Sequence, residues 1–269
     1  TQSRLRKQIY LTLIERANLR GSQSLHFTSD QERQEAAALG LGVDGFVLPH
    51  GLHIPEPISD AKVRLRQQLQ LPLDEPIVLF MSRWHPKKGL DYLIRALAHL
   101  KTERFTFVLA GGGDPDYEAT LDHLLQEAEL TERTRKVGFA TGEMKQLLLQ
   151  GSDIFALTSH SENFGIVVLE ALAAGTPALL TPGVALAHLV QQHDLGWVCP
   201  LDVPEITAML RTALQAPQVR AQKGDRARGV VRAQYSWDSI AQQLEAHYNT
   251  ALNSVSMPSI VSSPISEVL

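Results

Sequence analysis

Six short apolar runs limit what this chain can fold into: IVLFMS at 77–82, FTFVLAGGG at 105–113, KVGF at 136–139, DIFALTS at 153–159, PALLT at 177–181 and GWVCP at 196–200. None alternates apolar with polar residues, so none suits a sheet with one face in water. The stretches between them read as helices. Leu90, Leu93, Ile94, Leu97 and Leu100 share one helical face, a polar helix runs from about Tyr117 to Leu130, another surrounds Met144–Leu149, and one lies between Gly165 and Gly175. Strands buried on both faces and separated by helices predict an α/β fold with a parallel sheet covered by helices on both faces.

At 269 residues the chain can bury a sizeable core in one large or two small domains. With 44% hydrophobic and 20% charged residues it has the composition of an ordinary globular protein, and a net charge of −4 gives no case for a nucleic-acid partner. Cys199 stands alone, which excludes an intrachain disulfide and a cysteine-based zinc cluster and fits a reducing, cytoplasmic setting. No apolar run approaches ~20 residues, so no transmembrane helix is expected. The first residue is Thr1, and residues 1–18 carry charges throughout, so a signal peptide is not expected and the chain reads as a fragment or a processed piece.

The ends of the chain read differently. Residues 3–18 predict a helix with Leu5, Ile9, Leu13 and Ala17 four apart. SLHFTS (24–29) predicts a short strand, Ser29 and Glu32 form a capping-box signature for a helix ending near Gly40, and FVLPHG (46–51) predicts a second strand. The Pro-rich stretch 52–60 reads as a linker. Ser236 caps a final helix with Ile240, Leu244, Tyr248 and Leu252 on one stripe, and residues 253–269 read as a loose tail.

In open parallel sheets, ligands sit at the carboxyl ends of the strands. Three loops with suitable chemistry fall there. SRWHPKKG carries Arg83, His85, Lys87 and Lys88, which suits either a phosphate or a solvated basic loop. GGGD (111–114) lets a backbone approach a ligand through Gly111 and Gly112, or simply turns. It lacks the third glycine of a dehydrogenase fingerprint, since that position is Asp116. SHSENFGIVVLEALAAGTP (159–177) sets Glu162 before a helix start at Gly165 and Glu170 about two turns inside it. The first N–H groups of that helix suit an anion. A carboxylate within an apolar run is costly to bury unpaired, so Glu170 faces either water or a ligand.

SRWHPKKGLDYLIRAL, FVLAGGGD and SDIFALTSHSENFGIVVLEALAAGTPALLT, in that order and spacing, resemble the donor-binding domain of retaining glycosyltransferases of the GT-B fold, family four, the group 1 glycosyltransferases. The pair Glu162 and Glu170 with Phe164-Gly165 between them matches the family signature, and the resemblance covers residues 24 to 252. It implies a Rossmann-like donor domain at 61–235, with 1–51 as the end of a preceding acceptor-side domain, 52–60 as the linker and 236–252 as a helix returning toward that first domain. It implies that Arg83 and Lys88 hold the donor diphosphate and stabilise it as leaving group. Glu162 would then contact the transferred sugar. The segment Asn163, Phe164, Gly165 and Ile166 would offer N–H groups to sugar and phosphate, together with the Gly111-Gly112 loop, and Glu170 would accept from the ribose hydroxyls.

The implied partners are a nucleotide-diphosphate sugar and an acceptor that is a sugar, a lipid or another small molecule, with any membrane association peripheral. No cofactor or metal is implied. Two departures stand out: Pro49-His50-Gly51 replaces the family's Pro-Asn-Gly, and Thr141 stands where a glycine is expected in the base-side loop. An alternative reading is a non-catalytic nucleotide-sugar-binding module. A sugar-nucleotide epimerase or a sugar phosphorylase fits the motifs less well.

Overall fold

The structure, a computed structural model, describes residues 6, 9–40, 42 and 45–254. Two strands, β1 (Leu25–Phe27) and β2 (Gly45–Val47), pair in parallel as a small separate sheet. The remaining strands are β3 (Ile77–Met81), β4 (Thr106–Ala110), β5 (Thr134–Gly138), β6 (Ile154–Leu157), β7 (Ala178–Leu180) and β8 (Gly196–Val198). They form one parallel sheet in the order β5-β4-β3-β6-β7-β8. The α-helices are α1 (Arg16–Gly21), α2 (Asp30–Ala37), α3 (Ala61–Gln68), α4 (Leu90–Ala98), α5 (Pro115–Glu127), α6 (Gly142–Gly151), α7 (Ile166–Ala173), α8 (Ala187–Gln192), α9 (Val203–Gln215), α10 (Pro217–Tyr235) and α11 (Trp237–Ser254).

Burial follows the apolar pattern. Every residue of β3, β4, β6 and β7 is buried, as expected for strands covered on both faces. Leu90, Leu93, Ile94, Leu97 and Leu100 are fully buried, so α4 meets the sheet along the predicted stripe. Each such side chain contributes up to about 1.5–3 kcal/mol. The outer strand β5 is only partly buried and carries Arg135 and Lys136, which blunts an exposed edge.

A buried carboxylate ties α3 to the sheet. Asp153 accepts from Arg66 Nη2 at 2.6 Å, from the Ile77 N–H at 2.9 Å and from Lys62 Nζ at 2.9 Å. Burial alone would raise this carboxyl. Lys62 and Arg66, with the Ile77 N–H, outweigh that and hold it below the usual carboxylate range.

The segment before the sheet has its own anchors. Ser29 Oγ accepts from the Glu32 N–H at 3.1 Å, while the Glu32 carboxylate accepts from both the N–H and the hydroxyl of Thr28 at 2.7 Å, so the capping signature is realised. The expected strands at 24–29 and 46–51 are shorter, because Ser29 caps α2 and Pro49 has no N–H to extend β2. The expected helix at 3–18 contains a π-helical turn at Leu11–Glu15 and continues as α1 to Gly21. Ile9, Tyr10, Leu13 and Ile14 lie about half exposed or more. In α11, Ile240 is buried while Tyr248 and Leu252 are exposed, so the final stripe is covered only at its start. Apart from Asn253 and Ser254, the expected tail lies outside the described residues.

The strand order decides where a ligand can enter. From β3 the chain steps outward to β4 and β5, then returns to β6 and steps the other way. The loops after β3 and β6 therefore diverge to opposite faces and leave a crevice between them. Two contacts fix its walls: the Thr158 hydroxyl donates to the Gly89 carbonyl at 2.8 Å, and the His160 N–H donates to the Lys87 carbonyl at 2.9 Å.

Candidate active site

The crevice opens on a cleft of about 850 Å³ at the carboxyl ends of β3, β4, β5 and β6. Its first wall follows β3. The N–H of Ser82 donates to Ala110 O at 3.2 Å and that of Trp84 to Gly112 O at 2.8 Å, so pairing continues past the strand ends and holds Arg83 beside the glycine loop. Gly111 has φ +122°, and a Cβ there would lie 2.0 Å from the Ser82 carbonyl oxygen. Only glycine fits this approach. The chain then turns through a 3-10 segment, Pro86–Lys88, with His85 Nδ1 accepting from the Lys87 N–H at 3.1 Å. That turn aims Lys88 across the crevice, where its ammonium pairs with Glu162.

The second wall is the loop between β6 and α7. Glu162 is pinned by its backbone: its N–H donates to Gly183 O at 2.8 Å and its carbonyl accepts from the Ala185 N–H at 3.1 Å. Gly165 caps α7 in the left-handed region, φ +80°, with its position for a Cβ only 3.2 Å from Glu162 Cγ. In the first turn of α7 the Val168 N–H donates to Gly165 O at 2.8 Å, which leaves the N–H groups of Ile166 and Val167 without a partner in the helix and open to a ligand. Inside α7, Glu170 faces the cleft and not bulk solvent, and Lys145 Nζ of α6 lies 2.7 Å from its Oε1.

Of the residues singled out from sequence, Arg83, Lys88, Gly111, Gly112, Glu162, Gly165, Ile166 and Glu170 border this cleft. Asn163 and Phe164 do not. The Asn163 carbonyl accepts from Ser29 Oγ at 3.2 Å, and the buried Phe164 ring sits edge-on to His50 at 4.9 Å, on the far side of the loop. Sequence reasoning passed over Lys145 and Phe139, the latter 87% exposed at the cleft mouth. A lysine in the first turn of the helix after β5, at the ligand end of the sheet, was the available signal for the first. Thr141 leaves the glycine of this loop one position later, at Gly142, with φ +53°.

Three cations, Arg83, Lys88 and Lys145, stand against two carboxylates, a balance of +1. Each carboxylate already has a lysine, and Arg83 has no ionic partner among the described residues. A helix start, a close-approach glycine loop and surplus positive charge form a receptor for a phosphorylated ligand, and the two carboxylates accept from its hydroxyls.

The family model described as "Glycosyl transferases group 1" matches residues 62–230, more than half of the chain. The chain belongs to the group 1 glycosyltransferases. It is 36% identical over 200 residues to a D-inositol 3-phosphate glycosyltransferase of Mycobacterium leprae, covering 70% of this chain and 44% of that protein. It is 31% identical over 196 residues to an uncharacterised glycosyltransferase of Methanocaldococcus jannaschii, covering 72% and 50%. The chain thus spans about half the length of the curated relatives it matches. Among solved structures, sucrose-phosphate synthase of Thermosynechococcus elongatus superposes with a TM-score of 0.76 at 28% identity, over 90% of this chain and 61% of that one. HepE of Anabaena, solved with UDP and glucose, superposes at 0.77 and 26% identity, over 93% and 68%. These likenesses place the six-stranded sheet of this group 1 glycosyltransferase in the GT-B class. Among the described residues no helix is long and apolar enough to cross a membrane.

Proposed function

We propose that this chain binds a nucleotide-diphosphate sugar in the cleft between the β3 and β6 loops, and that the protein it represents transfers the sugar to an acceptor with retention of configuration. The observation that carries this reading is the convergence of Arg83, Lys88 and the start of α7 from the two walls of the crevice at the topological switch point. In this reading Arg83 and Lys88 hold the diphosphate. Lys88 exchanges its Glu162 partner for phosphate oxygens as the donor binds, and the freed Glu162 meets the transferred sugar. Glu170, oriented by Lys145, accepts from the ribose hydroxyls.

As the bond between sugar and phosphate breaks, negative charge grows on the leaving phosphate. The two cations and the N–H groups of α7 stabilise it, which is the service a divalent ion would otherwise give. The leaving phosphate then takes the acceptor's proton as the hydroxyl attacks from the same face, so no covalent nucleophile is needed. HepE's complex with UDP makes UDP the first nucleotide to test.

Coverage of only about half of the relatives' length supports a second reading, in which this chain alone is a donor-binding module. Transfer demands donor and acceptor at near-attack distance. The test is calorimetric titration with UDP, GDP and ADP, followed by a radiolabelled transfer assay on this chain with NMR of the product anomer. Saturable binding of one nucleotide is expected, and binding of none contradicts the proposal. Transfer without inversion supports the enzyme reading, and binding without transfer supports the module.

A further inference from the structure

The far side of the 160–166 loop borders a second cleft, of about 980 Å³, that donor binding leaves unused. Phe164, which turns away from the first cleft, lines it. Helix α2 contributes Gln34 on one side, and α8 contributes His188, Gln191 and Gln192 on the other. Tyr235, at the end of α10, adds a second aromatic ring.

The chemistry here is the reverse of the first cleft. No lysine or arginine lines it, and its single carboxylate, Asp30, is held by Arg33 at 2.7 Å. Gln34, His188, Gln191 and Gln192 are exposed along this cleft, so their donors and acceptors can meet a ligand. A glutamine amide offers two N–H donors beside a carbonyl acceptor, and a neutral imidazole offers one of each. That set matches the paired donors and acceptors of vicinal hydroxyls. The partly buried Tyr235 ring adds apolar surface for the C–H groups that a sugar presents between its hydroxyls. A phosphate or carboxylate would find no fixed cation to balance it.

We propose that this second cleft is a subsite for the acceptor, and that the part of the acceptor it holds is a neutral, polyhydroxylated chain such as an oligosaccharide. The inference rests on the reading of the first cleft as the donor site. The turn at 162–165 borders both clefts, since Glu162 and Gly165 line one while Phe164 lines the other. An acceptor seated here would reach past that turn to bring a hydroxyl to the donor sugar. The donor-binding chain would then supply part of the acceptor's specificity.

The experiment is NMR saturation transfer and calorimetry on the full 269-residue chain saturated with UDP. The probes are a panel of neutral trisaccharides built from glucose, mannose or galactose, with glucose 6-phosphate as the anionic control. At least one trisaccharide is expected to bind, and Gln191→Ala and His188→Ala are each expected to weaken it at least five-fold while leaving UDP affinity and thermal unfolding unchanged. Failure of the whole panel to bind, binding indifferent to both substitutions, or a clear preference for glucose 6-phosphate would overturn the proposal. The UDP titration of the parent chain is read separately, so failure of the donor reading is distinguishable from failure of this one.

Discussion

The two clefts that flank the 160–166 loop are built by different means. The first is made by backbone: two strands run past their ends side by side, a glycine at φ +122° lets them touch, and a helix starts at a left-handed glycine. Its charged side chains are positioned by those loops. The second is made by side chains projecting from the surfaces of α2 and α8. A site built from backbone tolerates few substitutions and presents fixed dipoles, which suits one invariant group such as a diphosphate. A site built from exposed helix side chains changes readily by substitution, which suits a variable partner.

The largest predicted effect removes the scaffold beneath both clefts. Asp153→Ala leaves Arg66, only 4% exposed at its side chain, without its buried partner. Loss of such a buried pair costs about 3–5 kcal/mol. Chemical denaturation should show that loss, with both clefts failing together. Failure of one alone would break the idea of a shared base.

The same group sets an acid limit. Its folded-state pKa lies below the unfolded value, so it stabilises the fold above the unfolded carboxylate range, about 3.9. That contribution is lost as pH falls through the lower folded value. A stability profile that is flat across this acid range would contradict the assignment.

A smaller effect separates the clefts. Gly111→Ala forces a Cβ against the Ser82 carbonyl and a side chain into a backbone region that only glycine occupies readily. The strain is about 1–3 kcal/mol. Nucleotide binding should fall while trisaccharide binding stays intact, a contrast that paired titrations would measure.

Smaller again are the carboxylate exchanges. Glu170→Gln should weaken the bare nucleotide, since the ribose contact is present with or without a sugar. Glu162→Gln should spare the nucleotide and weaken the intact nucleotide sugar. Opposite results would exchange the two roles. The smallest effects come from the medium. Added salt should weaken UDP and leave a neutral trisaccharide unmoved, because screening acts only on charge. Chelation with EDTA should change neither affinity.

Most of the sheet was legible because its strands are buried on both faces and their sequences say so: β3, β6 and β7 are unbroken apolar runs, and β4 is one after Thr106. Helix α10 was not legible. It has few apolar residues, and its anchors are polar or tiny. Arg220 Nη1 donates to Ala213 O at 2.5 Å and Leu214 O at 2.7 Å, while Gly224 lies so near Gly175 that a Cβ would meet its carbonyl at 2.1 Å. No apolar stripe announces contacts of that kind. Helices α3, α8 and α9 were also passed over.

At the site, the residues carried on loops with fixed spacing from a strand end could be named in advance. Lys145 offered only its place in the first turn of the helix after β5; its pairing with Glu170, 25 residues on in another helix, arises from tertiary packing and was hidden. The outward turn of Phe164 was equally hidden, since it depends on contacts with His50 from the distant β2 segment.

The account stands on the diphosphate being held by Arg83 and Lys88. The direct measurement is calorimetric titration of UDP, and of GDP and ADP if either binds more tightly, into the parent chain, Arg83→Ala, Lys88→Ala and Gln191→Ala. Each charge-assisted contact is worth roughly 1.5–3 kcal/mol. The account predicts at least a ~10-fold loss of affinity in each of the first two variants and none in the third. Unaltered affinity in both Arg83→Ala and Lys88→Ala would contradict it.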